Sequence, residues 1–246
     1  LAFVRLGQLW MYNYDDNSLT NIFSYPQDSF SDARTLNTNL DINIADMDAD
    51  GNIYFVVYGY MNRGEHEGKN GMSLYYYSST SMMTQELFFV ECDESYDIMK
   101  KETGRFTYYN AKENKFYYLL DETLYEVTLE DMTQKALVEK IPSAKYLVSG
   151  NRKLVAYPDS ADDAQVTKIT IRNFETGDVF EKTCGSGDLL LALGFVENDL
   201  IYGCSHGNDV IVTSDGEPIL PLYEMFILGE DGQQKKDYRK DGVYIM

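Results

Sequence analysis

Histidine is almost absent from this sequence: among 246 residues there are two, His66 and His206. A Ser-His-Asp triad would have to use one of them, and no serine stands in a G-x-S-x-G elbow or another nucleophile signature. Cysteine is scarce as well. Cys92, Cys184 and Cys204 form no C-x-x-C pair and no Cys/His group at zinc spacing. The odd count suits buried thiols, with a Cys184–Cys204 disulfide as the alternative. No stretch nears the ~18 apolar residues of a membrane-spanning helix. Basic residues are in deficit: 21 Lys and Arg stand against 40 Asp and Glu, a formal charge of −19. Such a surface repels phosphate backbones, so nucleic acid is not an expected partner. The acidity reads first as solubility and second as attraction for cations or basic partners. The glycine-rich TCGSGD, residues 183–188, lacks the Lys-Ser/Thr of a phosphate loop and reads as a turn.

What is present in quantity is aromatic: 21 Tyr and 12 Phe within a 44% hydrophobic chain. These residues favour strands over helices. They recur in two alternating units. One is a strand, a short polar turn and a second strand, as in QLWMYNYDDNSLTNIFSY from Gln8, SLYYYSSTSMMTQELFFVE from Ser73 and TLYEVTLEDMTQKALVEK from Thr123. It returns as KITIRNFETGDVFEKT from Lys168 and LYEMFILGEDGQQKKDY from Leu222. The triplet M-T-Q sits at the same place in the second and third copies, residues 83–85 and 132–134. The other unit reads DMDADGNIYFVV, YYNAKENKFYYLL, YLVSGNRKLVAY and GFVENDLIYGC, each with an asparagine in its turn (Asn52, Asn114, Asn151, Asn198). Asparagine and glycine are expected there as residues tolerant of positive φ.

Interleaving the two hairpins gives four strands in about fifty residues, the signature of a propeller blade. With strands labelled a to d, the second unit is a–b and the first is c–d. The Glu-, Leu- and Lys-rich segment from Thr123 would by itself pass for helix; its alignment with the other c–d hairpins makes it strand. Residues 93–104, DESYDIMKKETG, read as a loop with a helical turn.

The stretch LAFVRLGQLWMYNYDDNSLTNIFSY resembles the repeat of TolB-type and prolyl-oligopeptidase-type propellers, in which a Gly turn and an L-W-x-Y strand precede an x-D-x-x-T turn. DADGNIYF is similar to strand openings of extracellular bacterial propellers. The resemblance implies a rigid binding scaffold, often joined to another domain, and transfers no catalytic residue. The expected architecture is therefore all-β: one propeller domain of five blades, near 1–25, 41–92, 96–141, 145–184 and 188–240. Blade one lacks strand a, and residues 243–246 are expected to supply it and close the ring; the alternative is a segment of a larger propeller. The sequence opens on Leu1, the pattern of a chain processed upstream, and the expected location is the cell surface or outside it.

The turns a–b and c–d are short, whereas long insertions fall between b and c: GYMNRGEHEGKNG, PDSADDAQ and SHGNDVIVTSDGEPILP. The d–a connection of residues 24–39 emerges on the same face. Loops that are long on one side of a rigid scaffold carry function. Both histidines lie there, and Tyr60, Arg63, His66 and His206, with Glu65 and Glu67 nearby, are the candidate ligand-binding residues for a carbohydrate or protein partner.

Asp46, Asp48, Asp50 and Gly51 follow the D-x-D-x-D-G order of a calcium loop, and Ca²⁺ is the one cofactor they suggest. Position 12 of such a loop is a bidentate Glu; counting from Asp46 it is Val57. An acidic a–b turn is the preferred reading, with the three aspartates as candidate metal ligands. The resulting expectation is a non-catalytic binding scaffold. The alternatives are a propeller glycoside hydrolase or lyase with carboxylates at the central axis, and the propeller domain of a larger peptidase.

Overall fold

The computed structural model describes residues 1–25 and 39–246. The chain divides into two compact units, Leu1–Glu139 and Lys140–Met246. The expected d–a insertion lies largely at 26–38, outside the described residues.

In the first unit, β1 (Ala2–Arg5), β2 (Gln8–Asn13) and β3 (Ser18–Ser24) form a three-stranded meander. It is followed by the four-stranded sheet of β4 (Leu40–Met47), β5 (Ile53–Tyr60), β6 (Asn70–Ser78) and β7 (Met83–Glu91). One short helix, α1 (Tyr96–Lys101), precedes the third sheet, β8 (Thr107–Asn110), β9 (Lys115–Leu120), β10 (Thr123–Thr128) and β11 (Thr133–Val138). Ser95 caps α1 through its side chain, accepting from the Ile98 amide. The helical turn thus falls inside residues 93–104 as expected, and the Thr123 segment is strand despite its helix-favouring composition.

The second unit holds β12 (Leu147–Val148), β13 (Leu154–Pro158), β14 (Lys168–Asn173) and β15 (Val179–Thr183) as one meander. A second is built from β16 (Asp188–Val196), β17 (Asp199–His206), β20 (Leu222–Leu228) and β21 (Gln234–Arg239). A two-residue ladder, β18 (Ile211–Val212) with β19 (Pro218–Ile219), stiffens the insertion between β17 and β20. All pairings are antiparallel and between consecutive strands of each sheet, which is the construction of propeller blades.

The burial pattern explains the sequence of β5, IYFVVYGY. Ile53, Phe55 and Val57 pack with Leu9 and Ile22 of the first sheet, while Val56 and Tyr58 pack with Phe116 and Tyr118 of the third. A strand covered on both faces reads as a continuous apolar run rather than an alternating one. In the second unit Leu154, Ala156, Ile169 and Ile171 meet Leu190, Leu200, Tyr202 and Leu228. Cys184, just beyond β15, is disulfide-bonded to Cys204 of β17, with Cα atoms 5.8 Å apart. Cys92 is free and buried.

Two expectations need correcting. The tail at 243–246 is not a strand of its own: Ile245 forms an isolated antiparallel bridge with Leu222, each amide donating to the other's carbonyl at 2.9 Å. The Ile245 backbone bonds therefore join the last sheet. The a–b turn asparagines are also not all positive-φ residues. Asn114 is (φ 52°), but in the other three turns that conformation falls on Gly51, Arg152 and Glu197. Asn52, Asn151 and Asn198 serve instead through their side chains. The Asn52 carboxamide donates to Asp48 at 2.8 Å and accepts from the Ser79 amide at 3.0 Å. The Asn198 carboxamide oxygen accepts from the Asn151 amide at 3.0 Å, joining two a–b turns.

Candidate functional site

Both histidines sit at b–c connections, one in each unit, and each is built into a cluster of its own. In the first unit His66 lies in the loop after β5. That loop closes on itself through Met61 and Lys69, whose backbones bond at 2.8 Å, and through Gly68 to Met61. Tyr25, at the end of the first sheet, donates its hydroxyl to the Arg63 carbonyl at 2.9 Å. So anchored, the loop lays the His66 imidazole on the Phe89 ring, centroids 3.9 Å apart. The ring Nε2 meets Glu86 Oε1 at 2.6 Å, and the other oxygen of Glu86 accepts from the Tyr75 hydroxyl at 2.6 Å.

Glu86 and Phe89 are three residues apart on β7, and a regular strand would send them to opposite faces. A bulge prevents this: Leu74 pairs with Phe88 and Tyr75 with Glu86, leaving Leu87 as the extra residue. Burial, and then the Glu86 carboxylate, hold the Tyr75 phenol protonated well above its ordinary range. Lys69 stands over Phe89 at 5.9 Å and pairs with Glu91 at 2.8 Å.

In the second unit the corresponding cluster draws one residue from each strand of the last sheet. His206 ends β17 and is 47% exposed at its side chain. Its Nδ1 meets Asp188 Oδ1 of β16 at 2.9 Å, and its ring stacks on Tyr223 of β20 at 4.2 Å. The Tyr223 hydroxyl donates to the second oxygen of Asp188 at 2.8 Å. Arg239 of β21 lies over the Tyr223 ring at 5.3 Å and approaches Glu224 at 3.8 Å. Tyr223 is itself a bulge residue, since Cys204 pairs with Glu224 and Ser205 with Leu222. His206, then Tyr223, hold the Asp188 carboxyl below the usual carboxylate range. Burial, then Asp188, push the Tyr223 phenol up to about 12. With Nδ1 turned to Asp188, Nε2 is the other ring nitrogen of a side chain that is half exposed.

The two clusters share a composition: imidazole, aromatic ring beneath it, a carboxylate bridging the imidazole and a tyrosine hydroxyl, and a cation over the aromatic ring. Of the residues expected from sequence, His66 and Arg63 share one loop, Tyr60 ends β5, and His206 belongs to the other cluster. Glu86, Phe89, Tyr75, Asp188, Tyr223 and Arg239 were not anticipated. Asp188 is directly opposite His206 in the ladder, a relation that a strand register would have shown; the bulges at Leu87 and Tyr223 leave no such signal.

The aspartates of the D-x-D-x-D-G turn differ from one another in their surroundings. Asp48 Oδ1 accepts from the amides of Asp50 and Asn52 at 3.0 and 2.9 Å, and Oδ2 accepts from the Asn52 side chain. Burial opposes ionisation, but hydrogen bonds from Asn52, Asp50 and Gly51 together outweigh it and lower the Asp48 carboxyl. Asp46 is on β4 opposite Tyr54 and is raised by burial. Among the described residues no group of three His, Cys, Asp or Glu side chains is gathered as for a metal ion. No described helix is long and apolar enough to cross a membrane.

Consecutive four-stranded antiparallel meanders are the construction of a β-propeller, the class of fold this all-β chain presents. No protein-family model and no curated protein matches the sequence. Among solved structures, TolB from Acinetobacter baumannii is similar over 94% of this chain and 50% of its own, at 13% identity and a TM-score of 0.41. The β-propeller domain of the Trilobed protease from Pyrococcus furiosus is similar over 83% of this chain and 60% of its own, at 12% identity and a TM-score of 0.38. Saccharomyces cerevisiae Sqt1 is similar over 97% and 57%, at 12% identity and a TM-score of 0.36. The chain spans about half the length of these structures.

Proposed function

We propose that the five sheets form one propeller domain that acts as a non-catalytic binding scaffold, exported from the cell, with the b–c connections as its ligand-facing side. The observation that carries this reading is the row Asp188, His206, Tyr223 and Arg239. Four strands of a rigid sheet each hold one polar or aromatic side chain at the same end, and the hydrogen bonds and stacking fix their rotamers before any ligand arrives. Such preorganisation lowers the ordering cost of binding. The exposed imidazole edge and guanidinium offer an acceptor and donors to the hydroxyls of a saccharide or the polar groups of a protein. Asp188 is held ionised, which suits an orienting acceptor rather than a general acid. The Cys184–Cys204 disulfide supports an oxidising compartment.

The test is a binding screen against immobilised oligosaccharides and candidate proteins by interferometry, repeated with His206→Ala and Arg239→Ala. A ligand whose Kd rises about tenfold or more in both variants supports the site. A ligand bound equally by wild type and both variants removes the site from the function.

A further inference from the structure

The disulfide of the second unit lies directly beneath the row Asp188, His206, Tyr223 and Arg239. Residues two apart on a strand share a face, so Cys204 sits one step below His206 on the side where the imidazole meets Asp188. Across the ladder Cys204 stands opposite Leu190, as His206 stands opposite Asp188. Cys204 is buried, and its sulfur is bonded to Cys184. Cys184 is half-buried against the core that includes Leu190 and Tyr202.

From Cys184 a turn of three exposed residues, Gly185, Ser186 and Gly187, leads to Asp188. The Asp188 amide closes that turn by donating to the Gly185 carbonyl at 3.0 Å. Both glycines are required. A Cβ on Gly185 would stand 2.6 Å from Asp188 Oδ2, and Gly187 holds φ at 84°.

Glycine loses more conformational freedom on ordering than any other residue, so the place of Asp188 depends on what anchors this turn at each end. One anchor is the ladder pair Asp188–His206, which begins β16 and ends β17; strand ends are where ladders fray. The other anchor is covalent, the Cys184–Cys204 bond.

We infer that the Cys184–Cys204 disulfide is a redox-set lock on this row: its formation fixes the glycine turn and sets Asp188 against His206 and Tyr223, so that the row is assembled only in the oxidised chain. Locking joins the two sulfurs and releases two protons and two electrons, which pass to an external disulfide that leaves as a dithiol. The row is thus loose in a reducing compartment and becomes preorganised in an oxidising one. The inference rests on the binding role proposed for the row, but the lock is read without any ligand.

The proton serves as the probe. His206, then Tyr223, hold the Asp188 carboxyl below the usual carboxylate range, so its carboxyl carbon followed by NMR against pH reports whether those contacts are made. Asp159, which accepts from the Thr167 hydroxyl at 2.7 Å elsewhere in the same unit, is the reference. In the double variant Cys184→Ser, Cys204→Ser the Asp188 midpoint is expected to rise toward its ordinary value of about 4. The ring-current displacement of the His206 signals should shrink as the imidazole leaves Tyr223, with Asp159 unmoved. A second protein, with two glycines inserted between Ser186 and Gly187, keeps the disulfide and slackens the turn. The same rise at Asp188 is expected there, and it decides the outcome if the double variant does not fold. The lock is overturned by an Asp188 midpoint that stays lowered in either folded protein, or by Asp188 and Asp159 moving together, the mark of general loosening. A ligand indifferent to His206→Ala and Arg239→Ala would remove the binding role and leave these titrations as they are.

Discussion

The imidazole of His66 lies flat on the ring of Phe89, planes 9° apart and centroids 3.9 Å apart, while its Nε2 meets Glu86 at 2.6 Å. A loop residue is thus clasped to strand β7 by stacking and a charge-assisted hydrogen bond together. Stacked aromatic pairs contribute about 0.5–1.5 kcal/mol beyond burial. His66→Ala is expected to lower unfolding stability by about 1–3 kcal/mol, read from urea denaturation. A double-mutant cycle with Phe89→Leu should show coupling of at least about 0.5 kcal/mol; strict additivity would contradict the stack.

Asp188 is an acid whose folded-state affinity for protons is lowered by His206 and Tyr223. Its contribution to stability is present above the ordinary carboxylate range, about pH 4, and is lost as pH falls through the folded value. The difference in thermal midpoint between wild type and Asp188→Asn should therefore be largest near neutrality and shrink in acid. A difference that grew on acidification would refute the assignment.

The Cys184–Cys204 bond closes a loop of 20 residues in the second unit. Its removal by the double serine variant should destabilise that unit by about 2–4 kcal/mol. Cys92, whose thiol is raised by burial, should resist a thiol reagent in the native protein and react after denaturation. Rapid labelling of Cys92 under native conditions would contradict its burial.

Met82 and Met132 occupy equivalent c–d turns with φ of 55° and 58°, where the other three sheets place Asn17, Gly177 and Gly232. Both are exposed, at 69% and 41%, so little packing offsets the left-handed strain of about 1 kcal/mol or more. Met82→Gly and Met132→Gly should each raise stability by up to about 1 kcal/mol. Destabilisation by either would show that the methionine side chain makes an offsetting contact.

Tyr118 is fully buried beside Phe116, and its hydroxyl has no hydrogen-bond partner among the described residues. An unsatisfied buried hydroxyl costs about 1–3 kcal/mol. Tyr118→Phe should leave stability unchanged or raise it by about 1 kcal/mol, measured by denaturant midpoint; a marked loss would reveal a partner for that hydroxyl.

The blade rhythm was legible in the sequence because strand alternation and turn chemistry are local. Two hairpins recurring about every fifty residues, the turn at Gly51, and the three-stranded first sheet could all be read from residues adjacent in the chain. The both-face burial of β5 was visible as an uninterrupted apolar run. Tertiary structure alone decided the rest, since it depends on register and on contacts between distant segments. Bulges at Leu87 and Tyr223 choose which side chains share a face with the histidines, and no composition announces a bulge. The partner of Asn198 is an amide 47 residues away, so its role as a tie between turns is invisible locally. The tail GVYIM has the look of a strand in isolation, but Leu222 offers Ile245 a matched donor and acceptor, and that pairing gives the tail a single bridge where its sequence suggested a full strand.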